Sequence, residues 1–418
     1  MSSRWMQRAA LVAAVAIGVA ACSSSATTAP AAVAAATGAA DVATQAPGAV
    51  SSAISAPTPA PTAVATPAPT AASGDPWSQP YDATKAADEA KTFVTYGAPD
   101  SWANYGQEFT QFCQAKFGFD CNRPERAQGN DLSSAEEIAK YDAEKNNPVA
   151  IVADIGILFA GAAEQKGVLP DYLPPNASQL PASLRGANGG WIATFVGVPS
   201  IAVNVDFLTS KNIPIPQTWA DLAKPDYKGM VGLGKPGSSG TATMSFVAMN
   251  LAAGGTLDDY TKGIAYAKQL LPNLTKEASA DTFEKGEVPI TIAYDFNNIA
   301  LVNQMKAKNV NAKVVIPSDG SIYAPSAIIL NKYDTAHMDF GKMFLEWILT
   351  EQGQEIFAKF GARPILSVAG SPALSLPDSA KALWLPDSNY ASVQNVDVSK
   401  IDIANIADIW QNQVGAGG

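Results

Sequence analysis

From residue 91 onward, short apolar runs alternate with longer stretches whose apolar positions recur every three or four residues, the rhythm of buried strands and amphipathic helices. Residues 91–98 read as a strand, and Asp100 or Ser101 can cap a helix running to about Lys116. Residues 119–123 read as a second strand. A capping signal, Ser133-Ser134-Ala135-Glu136-Glu137, opens another helix, and 149–157 is a buried strand. This β-α-β-α-β order predicts a parallel sheet whose loops converge at the strand C-terminal ends, where open α/β sheets bind ligands.

The pattern then changes. Pro170, Pro174, Pro175 and Pro181 mark an irregular stretch, and 190–205 gives two strand-like runs separated by Gly197-Val198-Pro199. Strands are expected at 228–233, 289–294, 313–316 and 323–330, helices at 239–253 and 297–308, and two further helices across 335–359. No internal repeat is present. Residues 77–418 number about 340, more than one hydrophobic core usually manages, so two lobes are expected.

The N-terminus has a different composition. Arg4 and Arg8 precede an apolar run, 9–21, too short to span a bilayer, as in a signal peptide. It closes on Val19-Ala20-Ala21-Cys22, which resembles a bacterial lipobox and implies removal of the leader, lipid attachment at Cys22 and work on the extracytoplasmic side of the membrane. Residues 23–76 are almost entirely Ala, Pro, Thr, Ser, Val and Gly, with Asp41 the one charge before residue 75, and cannot bury a core. As a polyproline-like tether, some fifty residues reach on the order of 100 Å. No later run of eighteen apolar residues exists, which leaves the lipid as the expected membrane attachment.

Net charge is −10, with basic residues scattered singly, so nucleic acid is not an expected partner. Besides Cys22 the cysteines are Cys113 and Cys121, whose spacing suits a disulfide tying a helix end to the following strand in an oxidising compartment. There is no C-x-x-C, and the single histidine, His337, gives a transition-metal site little support. Gly232-Leu-Gly-Lys-Pro-Gly fits a dinucleotide-binding pattern without the acidic residue about twenty positions on. Ser238 or Ser239 with His337 lacks the G-x-S-x-G context of a hydrolase. A secreted hydrolase is left as the lesser alternative, and neither an enzyme nor a cofactor is expected.

Two stretches carry a resemblance. The run Pro216-Gln-Thr-Trp-Ala-Asp-Leu-Ala-Lys-Pro-Asp-Tyr-Lys-Gly-Met-Val-Gly-Leu-Gly-Lys-Pro-Gly-Ser-Ser-Gly-Thr, and the run from Phe340 through Glu346-Trp347 and Phe360-Gly361 to Arg363-Pro364-Ile365, resemble extracellular solute-binding proteins of ABC importers, in the branch with iron(III), polyamine, thiamine and phosphonate binders. The resemblance implies a type II-like periplasmic-binding-protein fold: two α/β lobes, crossing hinge strands near 200–207 and 321–330, and a ligand cleft between them. It assigns 77–200 and 322–366 to lobe one, 201–321 to lobe two and 367–418 to a C-terminal helical segment on the lobes. A monomer serving a permease and an ATPase, and making no covalent change to its solute, is what the family implies.

Loops expected at the cleft offer Trp102, Tyr105, Asp154 and Trp191 from lobe one, Ser238, Ser239, Gly240 and Thr241 at a helix start, Tyr294, Asp295 and Asn297 at a strand end, and Tyr323 on the return strand. Aromatics with Asp154 and Asp295 suit a cationic amine, the hydroxyl-rich helix start suits an anion, and a zwitterion satisfies both. Asp154 could equally cap backbone amides, and Trp102 and Trp191 could be packing residues. Iron(III) is the alternative cargo. The iron binders of the branch carry adjacent tyrosines where this chain reads Tyr294-Asp295-Phe296-Asn297.

Overall fold

The computed structural model describes residues 80–127, 132–368 and 374–415; the leader, Cys22 and the tether lie outside the described residues. Its strands are β1 (Thr95–Tyr96), β2 (Val152–Gly156), β3 (Trp191–Gly197), β4 (Pro199–Asn204), β5 (Val231–Gly232), β6 (Leu274–Thr275), β7 (Ile290–Tyr294), β8 (Ala312–Val315), β9 (Ser321–Ile322), β10 (Ala324–Leu330), β11 (Arg363–Pro364) and β12 (Val393–Gln394). They form two five-stranded sheets, β1-β2-β10-β3-β11 and β6-β5-β7-β4-β8, and a short β12-β9 pair. The fold is two-lobed α/β, with one sheet at the centre of each lobe.

The parallel sheet expected from the first elements is realised only where β1 meets β2. The return strand β10 inserts antiparallel between β2 and β3, and β11 adds antiparallel to β3, making the sheet mixed. Residues 119–123 are not a strand. Cys121 is disulfide-bonded to Cys113 (Cα–Cα 5.8 Å), and Arg123 donates to the carbonyls of Ala90 (3.1 Å) and Phe93, so this backbone is tied by side chains rather than by a ladder.

Lobe one is held by aromatic packing onto the helix Met338–Ile348: Phe109 of the helix Tyr105–Phe117 stacks on Phe344 at 4.4 Å, and Phe93, just before β1, stacks on Phe340 at 3.9 Å. In lobe two, Thr218 and Asp221 form a capping box that opens the helix Trp219–Leu222 and buries Trp219, whose indole donates to the Gly320 carbonyl at 2.8 Å. The motif around residues 216–222 is therefore a folding element of that lobe.

The chain passes between the sheets twice. It leaves β3 at Gly197 and enters β4 at Pro199, with Val198 alone between them. It returns from β8 through β9 into β10. Asn204 ends β4 by capping the helix Val205–Ser210, accepting the Phe207 N–H at 2.9 Å. The C-terminal segment pairs at the second crossing through β12 and reaches lobe two, where Trp410 packs edge-on against Phe246 at 5.4 Å. No helix among the described residues is long and apolar enough to cross a membrane.

Candidate functional site

The lobes enclose a cavity of about 140 Å3 between them. Asp154 projects into it from the middle of β2, where neighbouring strands leave the side chain 7% exposed. Trp102 reaches the same cavity from a turn bent by positive φ at Ala103 (46°) and Asn104 (69°), just before the helix Tyr105–Phe117. Its indole N–H donates to Asp154 Oδ2 at 2.9 Å. The same indole lies edge-on to Phe296 of lobe two (5.6 Å, 83°), so Trp102 packs across the lobes while orienting a cleft carboxylate.

The second oxygen of Asp154 is buried and makes no hydrogen bond of normal geometry, with the buried Tyr105 hydroxyl as its polar neighbour. Burial pushes the Asp154 pKa up to about 8, against the lowering effects of the Trp102 bond and of the Tyr105 hydroxyl. Glu137 lines the same cavity, is 1% exposed, and carries an unpartnered Oε2. Burial holds its pKa well above the usual carboxylate range, and the charges of Asp154 and Glu136 add to the rise. Sequence reasoning missed Glu137, although a sign of it was present. The buried positions of its helix are Ser134, Glu137, Ile138 and Tyr141, and a carboxylate on that apolar stripe calls for explanation.

Two helix N-termini meet at the cavity. Ser133 and Glu136 form the capping box of the helix Ser134–Ala143, and Ser134 Oγ accepts the Gly156 N–H at 3.0 Å. Opposite, Ser239 caps the buried helix Gly240–Ala252 and, with Gly240 and Thr241, lines the cavity from lobe two. Free N–H groups at helix starts favour negative charge. The backbones touch here: a Cβ on Gly156 would lie 3.1 Å from Gly240 Cα, and the reverse holds. Tyr294, closing β7, adds a buried hydroxyl beside Thr241, its pKa raised by burial.

Trp102, Asp154, Ser239, Gly240, Thr241 and Tyr294 are thus brought to one cavity, and the other expected residues are not. Tyr105 is fully buried behind it in the lobe-one core. The Trp191 indole donates to Glu164 at 2.8 Å and lines a separate, larger hollow. Ser238 sits in the turn before the capped helix, donating its N–H to Lys235 O at 3.2 Å. Asp295 is buried at the first crossing, accepting from Val198 N–H (2.9 Å) and Tyr390 O–H (2.7 Å). Asn297 is half-buried on the helix that follows, and Tyr323 packs beside Val198, Ile316 and Tyr390 at the second crossing. Among the described residues no three Asp, Glu, His or Cys side chains are grouped to hold a metal ion.

The sequence profile described as bacterial extracellular solute-binding protein matches residues 151–392. The chain is 29% identical over 286 residues to a sulfate-binding protein of Synechocystis sp., covering 66% of this chain and 73% of that one. It is 28% identical over 244 residues to the probable ABC transporter periplasmic-binding protein y4fP of Sinorhizobium fredii, covering 55% of this chain. The match spans just under two thirds of the rhizobial protein, 65%. In fold it is similar to the periplasmic binding protein AfuA of Actinobacillus pleuropneumoniae, solved with fructose-6-phosphate, at TM-score 0.58 and 22% identity over 78% of this chain and 98% of that one.

Proposed function

The chain belongs to the bacterial extracellular solute-binding proteins, and from that premise we propose that it captures a small, amine-bearing polar solute for an ABC importer, with a zwitterion favoured. The observation that carries this is the pairing, in one interlobe cavity, of buried acidic groups at Asp154 and Glu137 with the helix starts at Ser133 and Ser239. The acidic side suits an ammonium group, the helix starts a carboxylate or phosphonate. A cavity of about 140 Å3 favours a compact zwitterion over an extended polyamine.

Capture couples to closure because the solute contacts both lobes, which only the closed form brings together. Lipid on Cys22 and the 23–76 tether would hold the receptor near its permease and raise the effective concentration of docking. In this account the protein works as a monomer outside the cytoplasm, delivers solute to permease and ATPase subunits, and makes or breaks no bond.

An inorganic oxyanion is the second reading, favoured by the 29% identity to a sulfate-binding protein and by the two helix starts. That reading keeps Asp154 and Glu137 protonated beside the anion, the state in which burial already holds them in the empty cavity, so the two readings differ in whether the solute's charge displaces those protons. Thermal melting against amines, amino acids, phosphonates, sugars, sulfate and iron(III) separates the readings, since a solute that binds the folded state alone raises the melting point. A shift confined to zwitterions and amines supports the proposal; turnover of a substrate with no shift by any solute contradicts it.

A further inference from the structure

Glu137 poses a question that solute capture alone does not answer. A carboxyl group 1% exposed, with one oxygen lacking a donor, is costly unless it is neutral or finds a cation. The chain places it there deliberately. Gly97 takes a positive φ of 61°, and a Cβ at that position would collide with the Glu137 carboxyl group and lie 2.6 Å from the Asp154 carbonyl oxygen. Gly97 therefore makes room for Glu137 beside β2.

No lysine, arginine or histidine lines the cavity among the described residues. Nearby cations are engaged elsewhere: Lys140 on the same helix pairs with Glu144 at 2.8 Å, and Arg126 with Asp100. The titratable groups around Glu137 are Asp154 on β2, Glu136 and Tyr141 on its own helix, and Tyr96 and Asp334 beyond Tyr141. Those around Asp154 include Tyr105 behind it and Tyr294 from lobe two. Every one is acidic or phenolic.

We propose that Glu137 and Asp154 together form an ammonium-recognising acid pair, and that the bound solute's positive charge displaces protons from the pair into solvent, making capture pH-linked. The inference rests on the receptor reading and deepens it by assigning Glu137 as a specificity-determining residue. In the empty closed cavity the acids hold protons, consistent with the raised pKa of each. An incoming R–NH3+ keeps its own protons and donates hydrogen bonds to carboxylate oxygens, while the displaced H+ leaves to buffer, so charge and atoms balance. Affinity for an ammonium solute then falls as pH drops through the range below about 8, because protons compete for the same oxygens.

Titration calorimetry of the full chain tests this with β-alanine and 2-aminoethylphosphonate as ammonium-bearing probes and propanoate and sulfate as probes without the ammonium. Measurements in two buffers of different protonation enthalpy at pH 6.5 and pH 8.5 count the protons released. Release near one proton at pH 6.5 that declines by pH 8.5, with an affinity loss approaching tenfold per pH unit on the acid side, is expected. Glu137→Gln should weaken the ammonium probes at least tenfold and reduce the proton count, with its melting point showing that it folds. Binding of an ammonium probe without proton release overturns the inference on the wild-type chain alone, and unchanged affinity in Glu137→Gln overturns the role of Glu137. If only propanoate or sulfate binds, the inference falls together with the amine-bearing solute, and capture of an anion stands; if no probe binds and no solute of the melting panel shifts the chain, the receptor reading falls and takes the inference with it.

Discussion

Val198 and Asp295 exchange two hydrogen bonds at the point where the chain passes from one sheet to the other: the Asp295 N–H donates to the Val198 carbonyl at 2.8 Å, and the Val198 N–H donates to Asp295 Oδ1 at 2.9 Å. The other Asp295 oxygen accepts Tyr390 O–H from the C-terminal segment at 2.7 Å. Asp295 therefore ties β7, the crossing and the C-terminal segment together. Asp295→Ala would leave the Val198 N–H and the Tyr390 hydroxyl buried without this acceptor, at a cost of about 1–3 kcal/mol for each stranded group. A lowered denaturation midpoint is expected; an unchanged midpoint with lost solute binding would return Asp295 to the ligand site.

Closure depends on two glycines. With a Gly156 Cβ only 3.1 Å from Gly240 Cα, Gly156→Val puts branched atoms where the lobes meet. Solute affinity should fall by tenfold or more, and the ligand-free chain, whose lobes already touch here, should melt lower as well. Wild-type affinity in Gly156→Val would mean that the solute is held without this approach of the lobes.

Asp154 makes ligand-free stability depend on pH in a defined direction. Its pKa in the folded chain is pushed up to about 8, so the native state binds more protons than the unfolded state between about pH 4 and pH 8. Stability is then greatest at the acid end of that window and declines as pH rises through it. Glu137 acts in the same direction. Melting points recorded from pH 5 to pH 8 should fall, and Asp154→Asn should flatten the slope. A wild-type slope of opposite sign would show that Asp154 is ionised in the folded, empty protein.

The disulfide closes a short loop, eight residues in separation. By loop-closure entropy its loss destabilises by about 2–3 kcal/mol. Cys113→Ser with Cys121→Ser should melt several degrees lower and be insensitive to reductant, whereas wild type should move to the same point when reduced. Equal melting of wild type in oxidant and reductant would contradict a structural role.

Local chemistry was legible at some helix starts and strand breaks and not at others: the helix Tyr105–Phe117 begins after Asn104, without a side-chain cap, rather than at the expected Asp100 or Ser101. The Ser133 and Ser239 caps sit at their expected helix starts, and Gly197-Val198-Pro199 divides two strands as the pattern indicates. Partners distant in sequence were not legible. Nothing in periodicity says that β10 inserts between β2 and β3, that Trp191 bonds Glu164, or that Tyr390 meets Asp295 across 95 residues. Asp295 looked like a cleft residue because it follows a strand end, a position the fold uses here to fasten the crossing. Glu137 was hidden behind Glu136, whose capping role explains one acid of the pair and draws attention from the other.

The central claim is that the interlobe cavity at Asp154 takes up an amine-bearing solute. The most direct measurement is the affinity of whichever solute raises the melting point, compared between wild type and Asp154→Asn by titration calorimetry at pH 8. A loss of tenfold or more in Asp154→Asn, with the folded state intact by melting, is predicted. Equal affinity in the two proteins would contradict it.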